Sequence, residues 1–174
     1  FYERRECYKA LEYYGRSLKI SEQLGDKYGV ATCRQLIGNI YISIGDYEKA
    51  LDYQMDTFKI FEELADKQGM GTWLGNIGAI YFNMGNYNKA SEFYARSLKI
   101  RKQIGDKRGM KDLFFNIGDL HCYKGDYIKG LNYLKKSYNL QKEMEVEGLE
   151  LEITLSLSIA LKHLGREYDV EKIH

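Results

Sequence analysis

Proline is absent from this chain of 174 residues, where average usage of about 5% would supply several. Cysteine is scarce: Cys7, Cys33 and Cys122 are odd in number and show no paired spacing, which argues against a disulfide framework and a zinc site and points to a reducing, cytoplasmic setting. Charge of one sign is also lacking. Lys and Arg total 26 against 25 Asp and Glu, a formal net charge of +1, so no global field draws the chain to nucleic acid or an anionic membrane. No apolar run approaches the roughly 20 residues of a membrane span. The first residues, Phe1-Tyr2-Glu3-Arg4-Arg5, are neither a signal peptide nor an initiator Met, and the chain is expected to be cut from a longer protein. What is present is 44% apolar and 29% charged residues with 16 Tyr. That suffices for one folded domain and suits helices.

The chain repeats itself every 40 residues. Gly25-Asp26-Lys27 returns as Gly105-Asp106-Lys107 with Ala65-Asp66-Lys67 midway between, and Tyr14, Arg16, Ser17, Leu18, Lys19 and Ile20 return as Tyr94, Arg96, Ser97, Leu98, Lys99 and Ile100. Gly45, Tyr47, Lys49 and Ala50 return as Gly85, Tyr87, Lys89 and Ala90, and again as Gly125, Tyr127, Lys129 and Gly130. A fixed period of this size marks an array of stacked units with a continuous core.

Within one unit, Val30, Cys33, Ile37, Ile40, Tyr41 and Ile44 follow one helical face. This is helix A of a pair. Gly45 suits a left-handed helix C-cap and Asp46 a following N-cap, a device repeated at Gly85-Asn86 and Gly125-Asp126. Helix B then carries Tyr47, Ala50, Leu51, Tyr53 or Gln54, Phe58, Ile60 or Phe61 and Leu64, and the next Gly-Asp-Lys stops it. Along the chain this predicts the tail of a helix A at 1–4, helix B at 6–24, and pairs at 27–44 and 46–64, 67–84 and 86–104, and 107–124 and 126–145. A last helix A follows at 148–164, and Arg166 to His174 begin another helix B. The fold class is all-α, as one array across 1–174: part of a repeat at 1–25, repeats at 26–65, 66–105 and 106–146, and a terminal part at 147–174. Both end faces would carry uncovered apolar side chains, through which self-association is expected.

The order Gly38, Tyr41, Gly45, Tyr47, Ala50, repeated as Gly78, Tyr81, Gly85, Tyr87, Ala90, resembles the tetratricopeptide repeat. The usual unit is about 34 residues and often ends in Pro. The longer unit here, with its Gly-Asp-Lys-x-Gly linker, looks most like the subclass of the LGN/Pins spindle-orientation adaptors and of many prokaryotic signalling proteins. The resemblance implies a right-handed α-solenoid and a non-catalytic protein-interaction scaffold, with the A helices lining a concave groove. The fourth unit departs from the pattern, with Ser158, Leu161 and Glu167 in place of Gly, Tyr and Tyr.

Several residues invite chemistry and have simpler explanations. Gly38, Gly78 and Gly118 cost helix stability of about 0.5 to 1 kcal/mol each relative to Ala. Close packing against Ala50, Ala90 and Gly130 offsets that cost, and isolated helical glycines make no phosphate cradle. The repeated tyrosines are core residues with hydroxyls reaching the surface rather than base-stacking platforms. His121 stands where Tyr41 and Tyr81 stand. Its neighbour Cys122 points about 100° away on a helix, so the two do not form a nucleophile and base. Acidic residues such as Glu62, Glu63 and Asp66 fall in mixed-sign sets typical of a solvated face. Neither catalysis, a metal nor a cofactor is expected.

A second stripe of helix A remains. It comprises Thr32, Gln35, Asn39, Ile42 and Ser43, then Thr72, Gly75, Asn76, Ala79, Phe82 and Asn83, then Asp112, Phe115, Asn116, Asp119 and Tyr123. Amides with interspersed aromatics can bind the backbone and apolar anchors of an extended or helical peptide. A merely solvated inner face is the alternative, but Phe82, Phe115 and Tyr123 together are costly to leave in water without a partner or intramolecular cover. The expected peptide-binding residues are Gln35, Asn39, Asn76, Phe82, Asn83, Phe115, Asn116, Asp119 and Tyr123. Asn76 and Asn116 resemble the Asn of the family's carboxylate clamps, yet the basic partners are missing and the charges present are Asp112, Asp119 and Glu152. A basic or neutral peptide is therefore expected, with no nucleic acid and no membrane insertion. A regulatory arm that senses a peptide or small ligand within a larger signalling protein (kinase, cyclase or transcription regulator) is the other reading.

Overall fold

The computed structural model describes the backbone of residues 2–144 and 150–163 and the side chains of 6–144 and 153–163. Among them run eight helices: α1 Tyr2–Leu24, α2 Lys27–Ser43, α3 Tyr47–Glu63, α4 Lys67–Asn83, α5 Tyr87–Ile104, α6 Lys107–Tyr123, α7 Tyr127–Glu143 and α8 Glu150–His163. Each packs on the next in chain order, the A helices being α2, α4, α6 and α8 and the B helices α1, α3, α5 and α7. In addition α4 touches α6 and α6 touches α8, whereas no two B helices make comparable contact. The A helices α4, α6 and α8 therefore form the crowded inner row of the stack, which α2 extends in chain order. Among the described residues no helix is long and apolar enough to cross a membrane.

The expected punctuation is present, and its geometry shows why two residues suffice for a turn. At the end of α2 the Gly45 N–H donates to the Ile42 carbonyl and the Asp46 N–H to that of Tyr41, the paired bonds of a Schellman motif. The Asp46 carboxylate meanwhile accepts from the Lys49 N–H of α3. Asp46 thus closes one helix and caps the next. The same pairing recurs at Gly25-Asp26, Ala65-Asp66, Gly85-Asn86, Gly105-Asp106 and Gly125-Asp126. The closing residue takes φ between +68° and +81° where it is glycine and +52° at Ala65.

One predicted boundary is wrong. The break between a helix A tail at 1–4 and a helix B from 6 does not exist, because α1 runs continuously from Tyr2 to Leu24. The residues equivalent to Gly45-Asp46 are Arg5-Glu6, which supply neither the left-handed residue nor the short capping side chain. The expected helix B start at Arg166 to His174 lies outside the described residues.

The core follows the repeat register. Cys33, Trp73, Leu113 and Ile153 are equivalent and buried, as are Ile37, Ile77, Ile117 and Leu157. The fourth unit keeps that register despite its divergent residues. Each such side chain contributes about 1.5 to 3 kcal/mol when fully removed from water. The clusters straddle the repeat boundaries: Phe58 and Phe61 of α3 meet Trp73, Leu74 and Ile77 of α4, and Leu131 and Leu134 of α7 meet Ile153 and Leu157 of α8. The helical glycines do provide close approach, although their partners differ in part from those expected. A Cβ on Gly78 would stand 2.5 Å from the Tyr94 ring rather than against Ala90, and one on Gly118 would stand 2.7 Å from Leu134 and 3.2 Å from the Gly130 carbonyl.

Helix B also buries polar residues that periodicity passed over. Thr57, Ser97 and Ser137 are equivalent and fully buried. The Ser97 hydroxyl donates to the Gly71 carbonyl at 2.6 Å and that of Ser137 to the Lys111 carbonyl at 2.9 Å, tying each helix B to its own helix A. Thr57 instead donates to Tyr53 within α3. On α1 the equivalent Ser17 is exposed and the nearby Tyr13 is 66% exposed, so that face of α1 is uncovered among the described residues.

Candidate functional site

The inner row of A helices presents the stripe singled out from sequence. Asn39, Asn83 and Tyr123 are exposed, and Gln35, Asn76, Phe82, Phe115, Asn116 and Asp119 are half-buried. All nine reach solvent. The aromatics are partly covered within the chain. The Phe82 ring meets Tyr123 edge to face at 5.1 Å and Tyr87 at 5.7 Å, while Phe115 packs on the cluster around Leu131 and Leu134. Intramolecular cover thus accounts for part of the apolar cost that a partner was expected to relieve. The Phe82–Tyr123 contact also carries the stripe across a repeat boundary, from α4 to α6.

The stripe deepens into a cleft of about 400 Å³ between α6, the start of α7 and α8, where Asp119, Tyr123, Tyr127, Ser156, Ile159 and His163 converge. The His163 and Tyr127 rings stack in parallel at 4.3 Å. Tyr123 remains 67% and Ile159 47% exposed. The Cys122 thiol is pushed up to about 11 by burial and by the carboxylates of Asp119 and Asp126, and the Tyr94 phenol is raised by burial and by Asp119. Asp112 lies 3.0 Å from the ammonium of the buried Lys111. The side chain of Glu152 lies outside the described residues.

A tetratricopeptide-repeat family profile matches residues 1–63 and 69–167. The chain belongs to the tetratricopeptide repeat family. No curated protein matches it significantly, but solved structures share its fold. One is a STAND signal transduction ATPase with a tetratricopeptide repeat sensor from Pyrococcus horikoshii, with TM-score 0.82 and 21% identity over 98% of this chain and 26% of that one. Another is aspartyl phosphate phosphatase F from Bacillus subtilis, with TM-score 0.81 and 17% identity over 94% and 42%. A third is BtubC (BKLC) from P. vanneervenii, with TM-score 0.81 and 17% identity over 94% and 68%. The chain spans less than half the length of the first two.

Within this tetratricopeptide array, the part of the cleft contributed by α8 escaped the sequence reading. Ser156, Ile159 and His163 are equivalent to Asn116, Asp119 and Tyr123, so the 40-residue register carried one unit further finds them. The divergent residues Ser158 and Leu161 obscured it. In sequence Tyr127 has the pattern of a core residue, and Cys122 is the neighbour of His121 that helix geometry turns away from it.

The other chemical candidates take structural places in the tetratricopeptide units. His121 stacks on Tyr133 at 5.7 Å with the rings 3° from parallel, the role that Tyr41 plays with Tyr53 and Tyr81 with Phe93. The raised Cys122 thiol disfavours the thiolate that nucleophilic chemistry needs. Among the described residues no three His, Cys, Asp or Glu side chains gather as a metal-binding group.

Proposed function

We propose that this chain is a non-catalytic interaction module that binds a peptide or partner segment along the inner row of A helices. The observation that carries the reading is the run of accessible amides and half-covered aromatics on that row, from Asn39 on α2 through Asn76 and Phe82 on α4 to Phe115 and Asn116 on α6. Amide side chains hydrogen-bond an extended or helical backbone, and aromatics covered on one side only are ready to take apolar anchors. The family's established fold is consistent with protein–protein interaction.

The test is selection of phage-displayed random peptides on the intact chain, followed by titration of the selected sequences. The triple variant Asn76→Ala, Phe115→Ala, Asn116→Ala should bind them at least about 10-fold more weakly, as expected where one aromatic anchor and two amides are lost, with helical circular dichroism unchanged. Equal binding by the variant would move the site off the A-helix row.

A further inference from the structure

The outer row of B helices changes sign along the stack. Helix α3 carries five acidic and two basic residues, whereas α5 carries one and five and α7 one and four. The turn residues Asp106 and Asp126 pair with Arg101 and Lys129, and the two helices remain basic after that pairing. No two B helices pack together as the A helices do, and between α5 and α7 a furrow of about 430 Å³ lies over the first half of α6. It is lined by the exposed Lys102 and Lys136 and by the more deeply set Met110, Phe114 and Leu140. We propose that this furrow docks an acidic segment of a partner protein that seats one aliphatic side chain between its carboxylates, at a site separate from the A-helix row.

Charge and depth together select this occupant. Two ammonium groups beside an apolar floor favour carboxylates at the rim and an aliphatic side chain below, the polar rim and apolar centre of a small interface. Glu143, the one carboxylate among the described lining residues, is in an ion pair with Lys107. The rings disfavour a nucleic acid. Phe114 is 9% exposed, and Tyr133 lies between the His121 ring and the Lys136 ammonium, which stands 4.8 Å from its centroid, so neither offers an open face for a base to stack on. The chemistry is also particular to this unit. In the preceding unit the counterparts of Lys102 and Phe114 are Glu62 and Leu74, so an acidic segment meets a carboxylate there.

The probe is the blocked peptide Gly-Asp-Glu-Leu-Glu-Asp-Gly, titrated onto the isotope-labelled full chain by nuclear magnetic resonance. It should shift the amide signals of Lys102, Phe114 and Leu140 and leave that of Asn76 in place. Lys102→Glu, an exposed change that copies Glu62, should weaken binding about 5-fold or more at low salt, with a smaller difference at high salt. Replacing the peptide's leucine by serine should weaken binding by a similar factor, and Asn76→Ala should leave it unchanged, so this site and the groove stand or fall separately. Absence of binding, equal binding by the peptide with every carboxylate changed to an amide, or no effect of Lys102→Glu would overturn the proposal. Tighter binding of oligothymidylate at the same signals would overturn it in favour of a nucleic acid.

Discussion

The Arg101 guanidinium closes onto the Asp106 carboxylate across the turn between α5 and α6, with both side chains 12% exposed. Asp106 also accepts from the Gly109 N–H at 2.8 Å and from Gln68 of α4 at 3.1 Å, so one carboxylate joins three helices. Burial opposes its ionisation, but the Gly109, Gln68 and Arg101 interactions outweigh burial and hold its pKa below the ordinary value. A depressed carboxylate stabilises the fold fully above its unfolded pKa of about 3.9, and that stability is lost as pH falls through the folded value. Arg101→Ala should cost about 2 kcal/mol near neutral pH in urea denaturation, since it leaves a largely buried carboxylate without its cation. A cost that stays constant on acidification below the folded pKa of Asp106 would contradict this account.

Gln54 gives a prediction of opposite sign. Its side chain is 1% exposed with neither amide atom hydrogen-bonded, packed where the equivalent residues are Tyr94 and Leu134. Gln54→Leu should stabilise the chain by about 1 to 2 kcal/mol, the cost of a buried polar group left unmade. An unchanged or lowered denaturation midpoint would show that the amide is satisfied in solution.

Ala65 sits at φ +52° in a turn whose five counterparts are glycine. Left-handed backbone costs a residue with a Cβ about 1 to 2 kcal/mol, part of which a glycine returns through the greater freedom of the unfolded chain. Ala65→Gly should therefore raise stability by about 0.5 to 1 kcal/mol, measurable as a higher melting temperature. A fall would mean that the Ala65 methyl makes compensating contacts.

His121 should make stability fall on mild acidification. Burial lowers its pKa, Asp126 at 3.8 Å pulls the other way, and Lys129 and Lys124 reinforce the lowering. A depressed histidine contributes stability that is present above its unfolded pKa of about 6.5 and is lost as pH falls through the folded value. In His121→Tyr, which restores the residue of the preceding units, stability should vary less between neutral and mildly acidic pH. An identical pH dependence in both proteins would remove His121 as the cause.

What sequence alone could show was set by periodicity. Gly45 and Asp46 are legible because turn chemistry admits few residue types, and Ile37, Ile77 and Ile117 because burial recurs at helical spacing. Thr57, Ser97 and Ser137 were not, since a polar residue on a buried face looks like a solvated one until its carbonyl partner is known. The second glycine of the Gly-Asp-Lys-x-Gly linker was visible but unexplained. At Gly109 a Cβ would collide with the capping Asp106 carboxylate and with the Arg101 guanidinium from the end of α5, and at Gly69 with the Phe61 ring of α3; the contacts with the preceding helix are ones that no local pattern encodes. The stripe containing Asn76, Phe82 and Asp119 was legible as accessible helix surface. Its convergence with Ser156 and Ile159 into a cleft was not.

The doubled duty of Asp46 and its counterparts limits how such a chain can change over evolutionary time. A single residue inserted between Gly45 and Asp46 would move the Asp46 N–H away from the Tyr41 carbonyl, so that the stop of one helix and the start of the next would no longer fall on one residue. Deletion does the same in reverse. A change of length at such a junction keeps this shared stop and start when it adds or removes a full 40-residue unit, and substitution on the row of A helices leaves it untouched.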